Sequence, residues 1–202
     1  MPPKLRRFAR EIGQRSYRKL FLIAAEGEKT EQQYFNFFNS RTATIKVECL
    51  KSGHSSSPFH VLKRMKTWLQ KNELKDSDEA WLVVDKDRWT DEQLSELHTW
   101  SQQKENYALA LSNPKFEYWL LLHFEDGKGI QSSAQCSERL KQKQYLPDYD
   151  KGICTGKFTK ENIAEAVRRA KQRDTPPCAD WPRTIGTTVY RLAEKLIQSE
   201  YS

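Results

Sequence analysis

The sequence predicts an α/β fold: a mostly parallel sheet of four strands flanked by helices, with a helical C-terminal extension. Three observations carry this expectation. Apolar runs alternate with amphipathic stretches through residues 20–125 in the order β-α-β-α-β-α-β-α, the rhythm of right-handed crossovers between parallel strands. Residues 20–25 and 81–84 are apolar throughout, as strands covered on both faces are. After residue 130 no strand pattern recurs, while helical patterns do.

The elements follow in order. Residues 20–25 form the first strand, and Gly27-Glu28-Lys29 turns the chain. Thr30 with Gln33 has the spacing of a capping box, opening a helix that carries Tyr34, Phe35, Phe37 and Phe38. Residues 44–50 alternate Ile45 and Val47 with Lys46 and Glu48, the pattern of an edge strand. The loop 52–57 is polar, and Pro58 suits the first turn of a helix whose apolar face is Val61, Leu62, Met65, Trp68 and Leu69. The third strand is 81–84, and Thr90 with Gln93 caps the next helix. The fourth strand is 107–111. Asn113 as N-cap and Pro114 at the first helical position then predict a very apolar helix, ended by Gly127 and Gly129. Helical patterns near 132–142, 160–171 and 188–199 make up the extension, with a rigid Pro-rich loop between the last two. The expected organisation is a basic arm (1–19), an α/β core (20–126) and a helical extension packed on it (127–202).

Charge is unevenly placed. The net charge is +7, and in the arm Lys4, Arg6, Arg7, Arg10, Arg15, Arg18 and Lys19 face a single Glu11. Such an arm suits a phosphate backbone, although a solvated tail has the same composition. The four cysteines form no C-x-x-C pair, which argues against a zinc site or a disulfide framework. No apolar run approaches a bilayer span, and no apolar signal segment follows the basic residues, so the expected location is cytoplasmic and off the membrane.

The chemistry gathers at strand ends. Asp85-Lys86-Asp87 follows the third strand and Glu26-Gly27 follows the first. In open α/β sheets, sites form at the carboxyl ends of strands where strand order reverses. If strands one and three are neighbours, Glu26, Asp85 and Asp87 share a rim. Carboxylates so placed repel one another, and hard oxygen donors favour Mg²⁺ or Mn²⁺. Glu117, in the helix after strand four, lies at the same rim and could hold a second metal or position a water. Lys115 could contact a phosphate and stabilise a transition state, or be a surface charge. Lys86 and Arg88 flank the aspartates. Arg183 lies in the late loop, and Trp89 and Trp181 could stack on bases or simply pack. His123 reads as a core histidine.

These residues carry a resemblance. Glu26-Gly27 and Asp85-x-Asp87 resemble the signature of Toprim domains, the Rossmann-like fold of topoisomerases, primases and the nucleases of the overcoming-lysogenization-defect group. Three longer stretches resemble the RloB-like family: Glu26-Gly27-Glu28-Lys29-Thr30-Glu31-x-x-Tyr34-Phe35, Ser112-Asn113-Pro114-x-Phe116-Glu117-x-Trp119-Leu120-Leu121-Leu122-His123-Phe124, and Thr187-Thr188-Val189-Tyr190-x-Leu192. The resemblance implies a Toprim-type, metal-dependent endonuclease of bacterial anti-phage defence, acting beside an ATPase partner. It makes Glu26 the general base or acid near the metal, and Asp85 and Asp87 the Mg²⁺ ligands. The related nucleases use a second acid after the first. Here that is Glu31, one position off the usual spacing, with Glu28 as the other choice. The substrate is nucleic acid, DNA or RNA including tRNA. Lys4, Arg6, Arg7, Arg10, Lys86, Arg88 and Arg183 are the candidate contacts. Two other readings stay open: a nucleic-acid-binding module whose catalysis resides in a partner, and a nucleotidyl transferase. A homo-oligomeric state stays open too.

Overall fold

Period-two burial along the strands divides the core between two faces of one sheet. A computed structural model describes residues 18–39, 44–51, 57–87, 89–149, 152–153 and 155–200. The elements run β1 (Lys19–Ala25), α1 (Thr30–Asn36), β2 (Ile45–Cys49), α2 (Pro58–Lys71), β3 (Glu79–Asp85), α3 (Asp91–Ser101), β4 (Tyr107–Asn113) and α4 (Phe116–Leu121). Then come α5 (Ser133–Leu140), a 3₁₀ turn (Thr155–Lys157), α6 (Lys160–Arg173), β5 (Gly186–Thr187) and α7 (Val189–Glu200).

The sheet order is β2-β1-β3-β4-β5. The first four strands pair in parallel, and β5 pairs antiparallel with the end of β4. The chain winds from β1 outward to β2, then returns to lay β3 on the other side of β1. The reversal therefore falls between β1 and β3, and it opens a crevice at their carboxyl ends.

Alternate residues of each strand serve different layers. Phe21, Ile23, Trp81, Val83 and Ala110 share one core with residues of α1 and α4 to α7. Leu22, Ala24, Ala80, Leu82, Val84 and Leu111 share the other with Val61, Leu62 and Met65 of α2 and Leu94, Leu97 and Trp100 of α3. Trp181 is buried in this second core, so it is a packing residue.

Several expectations need correction. The sheet has five strands rather than four. The fifth is two residues long, too short to leave a periodic signal, and a hydroxyl contact of 2.8 Å between Ser112 and Thr187 joins it to β4. Thr30 is not the N-cap of α1. Lys29 holds that position without a side-chain cap, and Thr30 is the first helical residue, its hydroxyl 3.3 Å from that of Tyr149. Asn113 and Pro114 do not open the fourth helix either. Asn113 ends β4, Lys115 is the N-cap, and α4 stops at Leu121, well before Gly127. The Thr90–Gln93 capping box forms as expected, and Pro58 opens α2. The polar loop lies largely outside the described residues (52–56). Among the described residues no helix is long and apolar enough to cross a membrane.

Candidate functional site

Four carboxylates meet where the parallel strands end. Glu26 is the first residue after β1, and its backbone N–H continues the ladder to the Val83 carbonyl at 2.9 Å. Its side chain reaches across to β3: Oε2 accepts from the Asp85 N–H at 3.2 Å, and Oε1 accepts from the Trp89 indole N–H at 3.1 Å. Asp85 is the last residue of β3, directly beside β1, and its Oδ1 accepts from the Phe116 N–H at 2.8 Å. That bond ties β3 to the start of α4, where Glu117 is the second helical residue.

Glu31 completes the group from the first turn of α1. It is 6% exposed, and its Oε1 accepts from the Gly27 N–H at 3.1 Å. Gly27 is required by this approach: a Cβ there would lie 2.0 Å from Glu31 Oε2. On the far side, Glu117 Oε1 accepts from the Tyr149 hydroxyl at 2.9 Å and lies 3.6 Å from Lys115 Nζ.

The electrostatics follow from this crowding. Loss of hydration raises the Asp85 carboxyl well above the usual carboxylate range, and the charges of Glu31, Glu26 and Glu117 push it further. Burial, with the charges of Glu117 and Glu26, pushes Glu31 up to about 7. The acids therefore sense one another across the rim. Among the described residues no three His, Cys, Asp or Glu side chains form a ready-made metal cage. Mg²⁺ does not demand one, since it takes one or two carboxylates and keeps several waters. The donors are hard oxygens, and their mutual repulsion is what a divalent cation would relieve, so the residues fit such an ion.

Not every expected residue joins the group. Asp87 is exposed, at a φ of 27°, and its backbone N–H donates to the Pro114 carbonyl at 2.9 Å. The charges acting on Asp85 come from Glu31, Glu26 and Glu117. Glu28 is exposed, so the second acid of this region is Glu31. Lys115 is held by Glu117 and, at 2.5 Å, by the Ser137 hydroxyl. Lys86 turns away to pair with Asp91. Arg183 pairs with Asp180 at 2.6 Å and stacks over Trp181. Lys4, Arg6, Arg7, Arg10 and Arg88 lie outside the described residues. His123 is a core residue: its Nδ1 faces the Trp119 carbonyl at 3.0 Å and its Nε2 the Tyr34 hydroxyl at 3.1 Å. Burial pushes it down to about 3, so the ring is neutral.

Three contributors lie outside the residues expected from sequence in these roles. Arg64 donates to the Ala25 carbonyl, and its buried Nε has no hydrogen-bond partner among the described residues. Burial lowers its pKa, and the Glu26 charge opposes that. A signal for it existed, since a charged residue at i+3 from Val61 interrupts the apolar stripe of α2. Trp89 was considered only as a stacking surface, not as a donor to Glu26. Tyr149 reaches Glu117 from 32 residues away, and nothing local announces it.

No curated protein and no solved structure matches the chain. The family model described as RloB-like protein matches residues 21–196, which takes in most of β1, all four acids and most of α7. The chain belongs to the RloB-like protein family.

Proposed function

We propose that this chain is a Toprim-type endonuclease, dependent on Mg²⁺ or Mn²⁺, that hydrolyses phosphodiester bonds of nucleic acid in bacterial anti-phage defence beside an ATPase partner. One observation carries the reading: Glu26, Glu31, Asp85 and Glu117 meet at the carboxyl ends of adjacent parallel strands, close enough to raise Asp85 together. Such an arrangement costs stability without a cation and suits one that also holds phosphate oxygens. The defence role and the ATPase rest on the family resemblance.

Asp85 and Glu26 would hold the ion, with Glu31 and Glu117 as further donors. When bound, it would supply Lewis-acid stabilisation of a phosphoryl oxygen and a water of lowered pKa. Glu26 is oriented from two sides, by the Asp85 N–H and the Trp89 indole, as a proton acceptor near the attacking water must be. Arg64 brings a cation to the Glu26 side, where charge on a transferring phosphoryl group would be met.

The test is to incubate the protein, alone and with any ATPase found encoded at its locus, with DNA, single-stranded RNA and tRNA. Each substrate is tried with Mg²⁺, Mn²⁺ or EDTA, beside Glu26→Gln and Asp85→Asn. The expected result is metal-dependent cleavage that falls about a thousandfold or more in both variants. Binding without cleavage under every condition would overturn the reading in favour of a binding module. Incorporation of added nucleoside triphosphates would overturn it in favour of nucleotidyl transfer.

A further inference from the structure

A second polar cavity opens beyond the acid cluster, past the end of β4. It has a volume of about 170 Å³, and its lining includes Tyr118, Arg173, Asp174, Arg183, Thr184 and Thr187. Two features mark it as more than a surface dent.

The first is an orphaned hydroxyl. Tyr118 is fully buried, and among the described residues its OH has no hydrogen-bond partner. Leaving a buried polar group unpaired costs about 1–3 kcal/mol, a cost that a bound acceptor would remove. Neighbouring residues on α4 thus serve different places, Glu117 the acid cluster and Tyr118 this cavity.

The second is the charge of the lining. Arg173 spends its Nε on the Asp126 carbonyl, at 2.7 Å, and Arg183 gives one terminal nitrogen to Asp180. A guanidinium carries five N–H groups, so both retain donors. The one carboxylate on the wall, Asp174, is already engaged: it accepts from the Cys178 N–H, the Tyr190 hydroxyl and Arg191. The cavity therefore offers donors and positive charge, with its acid neutralised.

Its position relates it to the first site. Asp85 is in register with Ser112, and Ser112 with Thr187, so Asp85 and the cavity wall are two strand spacings apart, about 10 Å. The Asn113 side chain ties the Pro182 carbonyl to the end of β4 at 3.1 Å, which fixes Arg183 on the same rim. A separation of about 10 Å is roughly three nucleotides of rise along one strand of a duplex.

The geometry points to a phosphate-binding subsite in this cavity, formed by Arg173, Arg183 and the Tyr118 hydroxyl, that holds a phosphate group beside the acid cluster. It deepens the phosphodiesterase reading, and rests on it for the source of that phosphate, a nucleic acid strand running across the rim. A free nucleotide or inorganic phosphate has the same chemistry.

The test uses neither metal nor cleavage, so it stands apart from the fate of the nuclease reading. In EDTA, binding of short single-stranded DNA and RNA is followed by fluorescence anisotropy, and binding of inorganic phosphate and a nucleoside monophosphate by thermal shift. The R173Q/R183Q double variant is expected to bind about tenfold more weakly, as loss of charge-assisted hydrogen bonds dictates. Tyr118→Phe is expected to keep or gain thermal stability without ligand, yet to bind phosphate several-fold more weakly. A loss shared by oligonucleotides and phosphate identifies a strand as the source. A loss confined to the small ligands identifies a free phosphate. Equal affinities in the wild type and R173Q/R183Q for all ligands would overturn the subsite, as would a Tyr118→Phe protein that is destabilised without ligand.

Discussion

Strand β3 carries an acid at each end, and the protein treats the two in opposite ways. Glu79, where the strand enters the sheet, is 7% exposed and fully compensated. Lys19 lies 2.7 Å from Oε1, Lys195 2.9 Å from Oε2, and the Trp81 indole donates to Oε2 at 3.0 Å. Burial works against its charge, yet these partners win and hold its carboxyl below the usual value. Asp85, where the strand leaves, has a backbone N–H for company and three acids as neighbours, and its carboxyl is raised. A carboxylate kept for stability is given cations. One kept among other carboxylates, at the end of the sheet where α/β folds bind ligands, is left uncompensated by the protein, and on the proposed function a cation from outside would relieve it.

This contrast makes the two ends titrate in opposite directions, and that is the largest effect to look for. Glu31 has a folded value near 7 against an ordinary value of 4.5. Its contribution is fully present below about 4.5 and is lost as pH rises through 7, a loss of about 3 kcal/mol in metal-free protein. Glu79 is depressed, so its contribution is present above its unfolded value and lost as pH falls through the folded one. Urea denaturation in EDTA across about pH 2–9 should therefore show Glu31→Gln flattening the upper limb, between 4.5 and about 7, and Glu79→Gln flattening the lower limb, below 4.5. Mg²⁺ should restore the upper limb of the wild type. If Glu31→Gln leaves that limb unchanged, the acid end is not under the strain assigned to it.

A smaller effect separates the ends at neutral pH. Glu79→Ala removes three partners at once and should cost about 2 kcal/mol, moderated because Lys19 and Lys195 can turn to solvent. Asp85→Asn should cost nothing in metal-free protein, or stabilise it, since it removes a charge from a repulsive group. Denaturation midpoints of the two variants check this directly. Equal destabilisation by both would mean that Asp85 is a structural acid like Glu79.

The two ends were also unequally legible. The wholly apolar runs of β1 and β3 and the acids after them stand out in sequence, and they located Glu26, Asp85 and, through the helix after β4, Glu117. Whether β1 and β3 are neighbours stays open in the sequence, because the crossover rhythm fits more than one strand order; the order β2-β1-β3-β4-β5 answers it. Sequence spacing could not show which of Asp85 and Asp87 turns inward, because that depends on the strand continuing through Asp85 and bending at Asp87. Asn113-Pro114 misled for a related reason: the pair that would start a helix also suits the end of a strand, and here pairing with β3 and β5 decides. Partners drawn from distant segments, such as Tyr149 and Lys195, are set by the fold and leave no local trace. Two-residue β5 owes its existence to the pairing of Ser112 with Thr187 rather than to any propensity of its own.

The finest test of the comparison changes no charge. Gly27→Ala introduces a methyl group where Glu31 Oε2 now sits, 2.0 Å from the added carbon. The Glu31 carboxylate is the far end of a flexible side chain, so it can swing aside and the backbone need not move. Stability should change by less than about 1 kcal/mol, because one hydrogen bond is lost while a crowded acid leaves its repulsive neighbours. On the proposed function, metal-dependent cleavage should fall about tenfold or more, since one of the candidate donors is displaced while Glu26 and Asp85 stay in place. Comparing the Mn²⁺ concentration needed for half-maximal activity in Gly27→Ala and Glu31→Gln separates the causes. Similar increases in both mean that the glycine serves the acid. A Gly27→Ala protein with wild-type metal dependence but impaired folding would mean that the glycine serves the turn, and that Glu31 belongs with Glu79 among the structural acids.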